Sequence, residues 1–338
     1  MKPILSIGIT SYKRLKELER CINSIQTKYV DEIEVIVSED CSPLSKEIGE
    51  LVNKMATEKA FTLKFAPNEH NLGYDGNLGA IIKKSQGKFV FLCSDDDSIF
   101  EDCLDGIIEY LRDDKGGFGV FYAPFVYGDT RRKDRNHRTD MDIVQGEENA
   151  CKYIYDSILF SGLIFRKEYV EKMDVARFKN MNYFQVYMFL KMVYHYGAHY
   201  FAYPSILCVG DGENAYGIAE SSGGNALLAD RTSVLSNLEF DKTLSKVIMM
   251  FDEEEGTHVF SAFESQYSLR SYSLMSLARL QGRTFFKDYW KKLNSQENIK
   301  LKPIARIYYW MLLICGTKLS NKLTYVARRL AKRDDKFE

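Results

Sequence analysis

Three consecutive carboxylates, Asp95, Asp96 and Asp97, close the run KFVFLCSDDD at residues 88–97. Like charges this close repel, at a cost unless a cation or solvent compensates them. An oxygen-only donor set favours a hard divalent ion, Mg²⁺ or Mn²⁺. Phe89, Val90, Phe91, Leu92 and Cys93 precede the carboxylates. That unbroken apolar stretch suits a central strand of a parallel sheet, and ligands collect at the carboxyl ends of such strands. The plainer reading is a solvated acidic turn that caps a helix beginning near Glu101.

The elements that must position this run alternate regularly. Strand patterns at residues 4–10, 33–37, 61–66 and 89–93 are separated by helical patterns, the first carrying Leu15, Leu18, Ile22 and Ile25 on one face. The glycine-rich stretch NLGYDGNLG enters the helix that ends near Gly87. Such alternation predicts an α/β fold, a parallel sheet with helices on both faces. Residues 117–127 and 159–165 read as further strands, and residues 129–142 as a wholly polar loop. An apolar-rich helix at residues 183–196 stops at Gly197. That glycine also separates His195 from His199, so the two do not form a helical zinc pair. From residue 235 onward the pattern is helical.

Composition narrows the class. The net charge of −1 argues against a general nucleic-acid binder. Seven cysteines, odd in number and without a CxxC pair, fit a reducing cytosol and give no zinc signature. The N-terminus begins directly with a strand pattern, which predicts no signal peptide. Residues 307–315 form the longest apolar run, too short to span a bilayer. Charge is uneven: residues 283–338 hold 14 Lys/Arg against 5 Asp/Glu, a local +9. The tail joins Ile307, Trp310 and Leu313 to Lys318, Lys322, Arg328, Arg329, Lys332 and Arg333. It reads either as a bundle helix with a basic outer face or as a peripheral anchor on an anionic leaflet.

Taken in order, SIGITSYKR, VIVSEDCS, NEHNLGYDGNLG, SDDD and SGLIFRKE resemble the GT-A fold family 2 glycosyltransferases, over about residues 4–204. The SDD form and the NxGxxxN stretch are most similar to O-antigen enzymes of the abequosyltransferase type. The resemblance implies a Rossmann-like GT-A domain over residues 1–228, followed by a helical region over residues 229–338. It implies inverting transfer of one sugar from a nucleotide-sugar to a hydroxyl of a lipid-linked or oligosaccharide acceptor, dependent on Mg²⁺ or Mn²⁺. The implied place is the cytoplasm or the inner face of its membrane. Thr10, Ser11, Tyr12 and Arg14 match the nucleotide-contacting first loop, and Asp40 the carboxylate that bonds the base. Asn71 and Gly73 match the stretch that shapes the donor pocket, where Asn77 and Asp95 are placed with them. Asp96 matches the metal-binding carboxylate of the DxD motif, and Asp97 follows it. Ser94 stands where many members have the first Asp.

The acceptor hydroxyl needs a general base opposite the leaving group. Family members often carry Glu-Asp one helix length before a helix-ending glycine; counting back from Gly197 finds Gln185 and Val186 instead. Gln185 is left with positioning the acceptor, and Asp211 and Glu213 in VGDGEN become the candidate bases. Arg131, Arg132, Lys133 and Arg135 form either a solvated loop or one that closes over the diphosphate. The alternatives are a nucleotidyltransferase and an inactive nucleotide-sugar or glycan-binding module. Oligomeric state is left open.

Overall fold

The computed structural model describes residues 2–114, 116–127, 139–209 and 231–330. The chain divides into two compact units, Met1–Ala215 and Tyr216–Glu338. The boundary expected after residue 228 falls outside the described residues.

The first unit opens with β1 (Leu5–Ser11), α1 (Leu15–Ser24), β2 (Ile33–Glu39), α2 (Ser45–Glu58), β3 (Thr62–Phe65), α3 (Gly73–Lys84) and β4 (Phe89–Ser94). Strands β1, β2 and β4 are buried along nearly their whole length, and β4 accordingly reads as a continuous apolar run, while buried Ser6 and Glu34 in β1 and β2 pair with each other. Helix α1 buries Leu18, Cys21 and Ile22, one face at i, i+3 and i+4. Next come β5 (Asp97–Ile99), α4 (Leu104–Asp113), β6 (Val120–Tyr122), β7 (Phe125–Tyr127), β8 (Met141–Ile143) and α5 (Glu147–Tyr153). The unit continues through β9 (Leu163–Arg166), α6 (Lys167–Val170), α7 (Phe184–Tyr196), β10 (Ala198–Tyr200) and β11 (Ile206–Cys208).

An eight-stranded sheet runs β3-β2-β1-β4-β9-β6-β10-β8, and a three-stranded sheet runs β5-β11-β7. The β3-β2-β1-β4 half is parallel, and β9 lies antiparallel to both β4 and β6. The fold is therefore the expected mostly parallel α/β sheet. Gly162 lets β9 enter: its φ is +96°, and a Cβ there would lie 2.2 Å from the Ala123 carbonyl oxygen.

Three local expectations need correction. The run over residues 117–127 is two strands, because Pro124 has no N–H to continue a ladder. Its carbonyl instead accepts from the Ser205 and Ile206 amides at 2.7 and 3.1 Å, and β7 leaves for the small sheet. The acidic run does not lead straight into a helix: Asp97 begins β5, and α4 starts only at Leu104. Part of the expected polar loop is strand β8, which pairs with β10 and places Asp142 2.7 Å from His199 Nδ1.

The second unit is helical among its described residues: α8 (Arg231–Glu255), α9 (Val259–Leu280), α10 (Arg283–Asn294) and α11 (Pro303–Leu330). The Asp252 carboxylate accepts from the Thr257 hydroxyl and the Val259 and Phe260 amides, and so caps α9. Glu264, on α9, pairs with Lys302 at 2.9 Å. Helix α11 bends at Gly316, where φ is 69°. No described helix is long and apolar enough to cross a membrane.

Candidate active site

The carboxyl end of β4 lies beside that of β1, with Thr10 in register with Ser94. The chain after β1 folds back onto the acidic run. The Tyr12 amide donates to Asp95 Oδ2 at 3.3 Å. Arg14 Nη1 bridges two carboxylates, 2.9 Å from Asp95 Oδ1 and 3.0 Å from Asp96 Oδ2. Ser94 Oγ donates to Asp96 Oδ1, and Arg20 donates to the Asp96 carbonyl at 2.8 Å. Thr10, Ser11, Tyr12, Arg14, Asp95 and Asp96 thus form one cluster at the strand ends, as expected.

The three acidic residues differ in exposure. Asp95 and Asp97 are buried, whereas the Asp96 side chain is 18% exposed. Burial pushes the Asp95 carboxyl up to about 7, with Arg14 opposing the shift and Asp96 adding to it. Burial, reinforced by Asp96, likewise pushes Asp97 up to about 7. Asp97 faces the Ser161 hydroxyl and the Cys208 thiol. Of the two metal ligands expected, then, Asp96 is on the accessible side and Asp97 is turned into the small sheet. The sequence shows the run of acids; the turn of Asp95 and Asp96 between β4 and β5 decides which one points out.

The donor set fits a hard divalent cation. It offers oxygen atoms and, once Asp95 and Asp97 ionise above about 7, more negative charge than Arg14 neutralises. Among the described residues no three His, Cys, Asp or Glu side chains converge to hold an ion. Asp96 is the least buried carboxylate of the run.

At the end of β2, Asp40 is buried. Its Oδ1 accepts from Asn68 Nδ2 and the Leu72 amide, and its Oδ2 from the Gly73 amide, each at 2.9 Å. The carboxylate thereby caps the N-terminus of α3, where negative charge is favourable. Three of its roughly four acceptor positions are filled, which leaves one for a base. Asn71 also accepts from the Gly73 amide, at 3.0 Å. Gly73 itself has φ +71°. Asn77 is buried, donating to the Ser38 carbonyl at 3.1 Å and accepting from Asn68 at 3.0 Å. It clamps α3 to β2 rather than lining an open pocket, a correction to its expected place in the donor site.

Gln185 has no exposed surface. Its Nε2 donates to the Ile158 carbonyl at 3.0 Å, and its Oε1 has no partner among the described residues. The side chain is thus enclosed and held by the backbone of the segment before β9. Asp211, Glu213 and the basic group Arg131, Arg132, Lys133 and Arg135 lie outside the described residues.

Asp75, Asn180 and Asn182 escaped the sequence reading. Asp75 is buried and accepts from the Met181, Asn182 and Phe184 amides at 3.1, 2.7 and 2.9 Å, fixing the entry to α7. Asn180 and Asn182 have φ of 64° and 61°, a left-handed turn that the NMN spelling could have signalled. Ser161 accepts from the Ser94 amide at 3.0 Å and so ties the β9 entry to the acidic run. Glu39, at the end of β2, is fully buried, with Oε1 accepting from the Ser42 amide at 2.9 Å.

Comparison with known proteins places this geometry. The profile described as glycosyl transferase family 2 matches residues 6–181, just over half of the chain. A curated relative from Campylobacter jejuni, the GalNAc(5)-diNAcBac-PP-undecaprenol beta-1,3-glucosyltransferase, is 27% identical over 107 residues. That match spans 32% of this chain and 34% of the relative. The crystal structure of S. aureus TarS 1-349 in complex with UDP-GlcNAc has a TM-score of 0.51 at 14% identity. It covers 97% of this chain and 92% of its own. The mannosyltransferase PcManGT from Pyrobaculum calidifontis, in complex with GDP-Man and Mn²⁺, has a TM-score of 0.54 at 12% identity. There the coverage is 99% of this chain and 89% of the other. The profile runs from β1 through the acidic run to the turn that Asp75 holds, and the chain belongs to glycosyl transferase family 2, with the GT-A fold.

Proposed function

We propose that the protein transfers one sugar from a nucleotide-sugar donor to a hydroxyl of a lipid-linked glycan. The place is the cytoplasmic face of a membrane, and the product is a surface polysaccharide of the O-antigen kind. One observation carries the reading: a partly exposed carboxylate, Asp96, stands between two buried ones at a strand end, beside the loop that follows β1. The curated relative's name, with its undecaprenol-PP-linked glycan, supports the acceptor class. The UDP-GlcNAc and GDP-Man complexes support a nucleotide-sugar donor, and the Mn²⁺ in one of them a divalent ion.

In this reading Thr10, Ser11, Tyr12 and Arg14 hold the nucleotide, the remaining acceptor position of Asp40 bonds the base, and Asp96 holds Mg²⁺ or Mn²⁺. The bound ion supplies positive charge for the departing diphosphate. The acceptor oxygen attacks the anomeric carbon on the face opposite the leaving group, which inverts it. The bond to the diphosphate oxygen breaks, and the nucleoside diphosphate leaves with the electron pair. The hydroxyl proton passes to a carboxylate. Since the first turn of α7 carries Gln185 and Val186 in place of Glu-Asp, that carboxylate is assigned to Asp211 or Glu213.

The test is to incubate the protein with UDP-, GDP-, dTDP- and CDP-linked sugars, with and without Mn²⁺, and to measure released nucleoside diphosphate and glycosylated acceptor. Turnover of one donor, abolished by Asp96→Ala, is expected. No turnover of any donor would reject the reading. The enclosed Gln185 favours a second reading, a donor-binding module without turnover, which would give nucleotide binding alone.

A further inference from the structure

Helix α11 turns much of its apolar surface outward. Ile307, Trp310 and Ile314, at the i, i+3, i+7 spacing of one face, are 58%, 58% and 75% exposed. Beyond the bend at Gly316, Leu319, Leu323 and Val326 sit at i, i+4, i+7 and are 49%, 46% and 51% exposed. This face is not waiting for its own bundle, because another face of α11 already has one. Ala305, Leu312 and Leu313 are buried, Tyr309 stacks on Trp290 and Phe286, and the Tyr272 hydroxyl donates to Asn321 at 2.6 Å. A bundle helix ordinarily keeps its outward face polar, and two exposed apolar faces, one on each side of the break at Gly316, mark an interaction surface.

Charge selects the occupant. Between Asn298 and Arg333 the sequence holds nine Lys/Arg and no Asp or Glu. Lys318 and Lys322 are exposed and interleave with Leu319 and Leu323. A protein partner, or a second copy of this chain, would be expected to meet carboxylates as well as cations along such a stripe. A phosphate-bearing bilayer surface calls for this composition: apolar side chains entering the acyl boundary, with lysine stems lying along them and ammonium groups among the headgroups. Trp310 and Tyr325 are the ring types that favour headgroup depth. The helix is not apolar enough to cross, so its place is in the plane of the interface.

We infer that the outward face of α11 is a membrane-lying surface whose ligand is a leaflet of anionic phospholipid. This deepens the functional reading above: delivery of a lipid-linked acceptor to the enzyme rests on that reading, whereas the surface rests on α11 alone.

The experiment uses the full chain with vesicles and no donor. Co-sedimentation is measured on phosphatidylglycerol-containing and on pure phosphatidylcholine vesicles, at low and high salt. Binding is expected on the anionic vesicles at low salt, weaker on the neutral ones and weakened by salt, with Trp310 emission moving to the blue. The triple variant Trp310→Ser, Ile314→Ser, Leu323→Ser should bind at least about tenfold less. Lys318→Glu with Lys322→Glu should lose the preference for anionic lipid. All five positions are exposed, so the variants should keep the wild-type far-UV spectrum and melting temperature. An intact protein that ignores anionic vesicles at low salt overturns the inference. So does a triple variant that binds like wild type. A concentration-dependent dimer that the triple variant disperses, without vesicle binding, would make the face a contact between copies. Donor hydrolysis, read separately in solution, reports on the functional reading and not on this surface.

Discussion

The ends of β2 and β4 flank β1 and both carry acid, but they are satisfied in opposite ways. At β2, Asp40 accepts three hydrogen bonds from neutral donors, two of them backbone amides of the α3 entry. At β4, Asp95 and Asp96 share Arg14, while burial pushes Asp95 and Asp97 up to about 7. A carboxylate answered by several fixed amides contributes to the fold. Carboxylates crowded about one guanidinium are short of positive charge, and that shortage is what a cation-bound diphosphate would relieve. The same residue type is therefore answered by fixed donors at one strand end and left short of positive charge at the next.

The sharpest way to break this comparison is to remove the exposed acid. Asp96→Ala should lower transfer about 100–1,000-fold, the range for losing one group that stabilises charge in a transition state. Its melting temperature should stay near that of wild type. An unfolded or strongly destabilised Asp96→Ala would make the β4 end framework too.

Next in size are the framework acids. Asp40→Ala should cost about 1.5–3 kcal/mol, the range for hydrogen bonds to charged groups, read by denaturant unfolding. Any loss of nucleotide affinity is then measured on the folded fraction. Stability unchanged in Asp40→Ala would mean that its three amide and side-chain bonds are replaceable by water. Asp75→Ala leaves three backbone amides at the α7 entry without their acceptor. About 1–3 kcal/mol is expected from the same measurement, with donor affinity unchanged.

How far the sequence carried this is visible in the same residues. Strands β1, β2 and β4 are legible because they are buried nearly throughout and rich in Ile, Val, Leu and Phe. Strands β5, β8 and β11 have three residues each, too few for any period to show. The acidic run announced itself, but not that Asp96 alone of the three would be exposed. Asp40 was read as a ligand contact because its other partners, Leu72 and Gly73, lie more than thirty residues away. Gln185 was read for chemistry, since burial by Ile158 and its neighbours is a tertiary fact. The helical tail was legible as helix and as basic; which of its apolar residues face outward was not.

A smaller effect concerns pH. Asp95 and Asp97 hold protons in the folded state up to about 7, whereas unfolded carboxylates lose them near the ordinary value of 3.8. Over that window the native state binds more protons, so stability falls as pH rises from about 4 to about 7 and levels off above it. Buried Asp241 in the second unit acts in the same direction. Melting temperatures of the metal-free protein should follow that slope, and Asp97→Asn should flatten part of it. A melting temperature that rises steadily across the window would contradict the assigned protonation.

The central claim is that the β4 end holds the donor's diphosphate through a cation. The most direct measurement is calorimetric titration of nucleoside diphosphates, with and without Mn²⁺, into the wild type and Asp96→Ala. The account predicts that the wild type binds one nucleotide class tightly only when Mn²⁺ is present, and that Asp96→Ala loses the metal-dependent part while staying folded. Equal, Mn²⁺-independent binding by both proteins would contradict it.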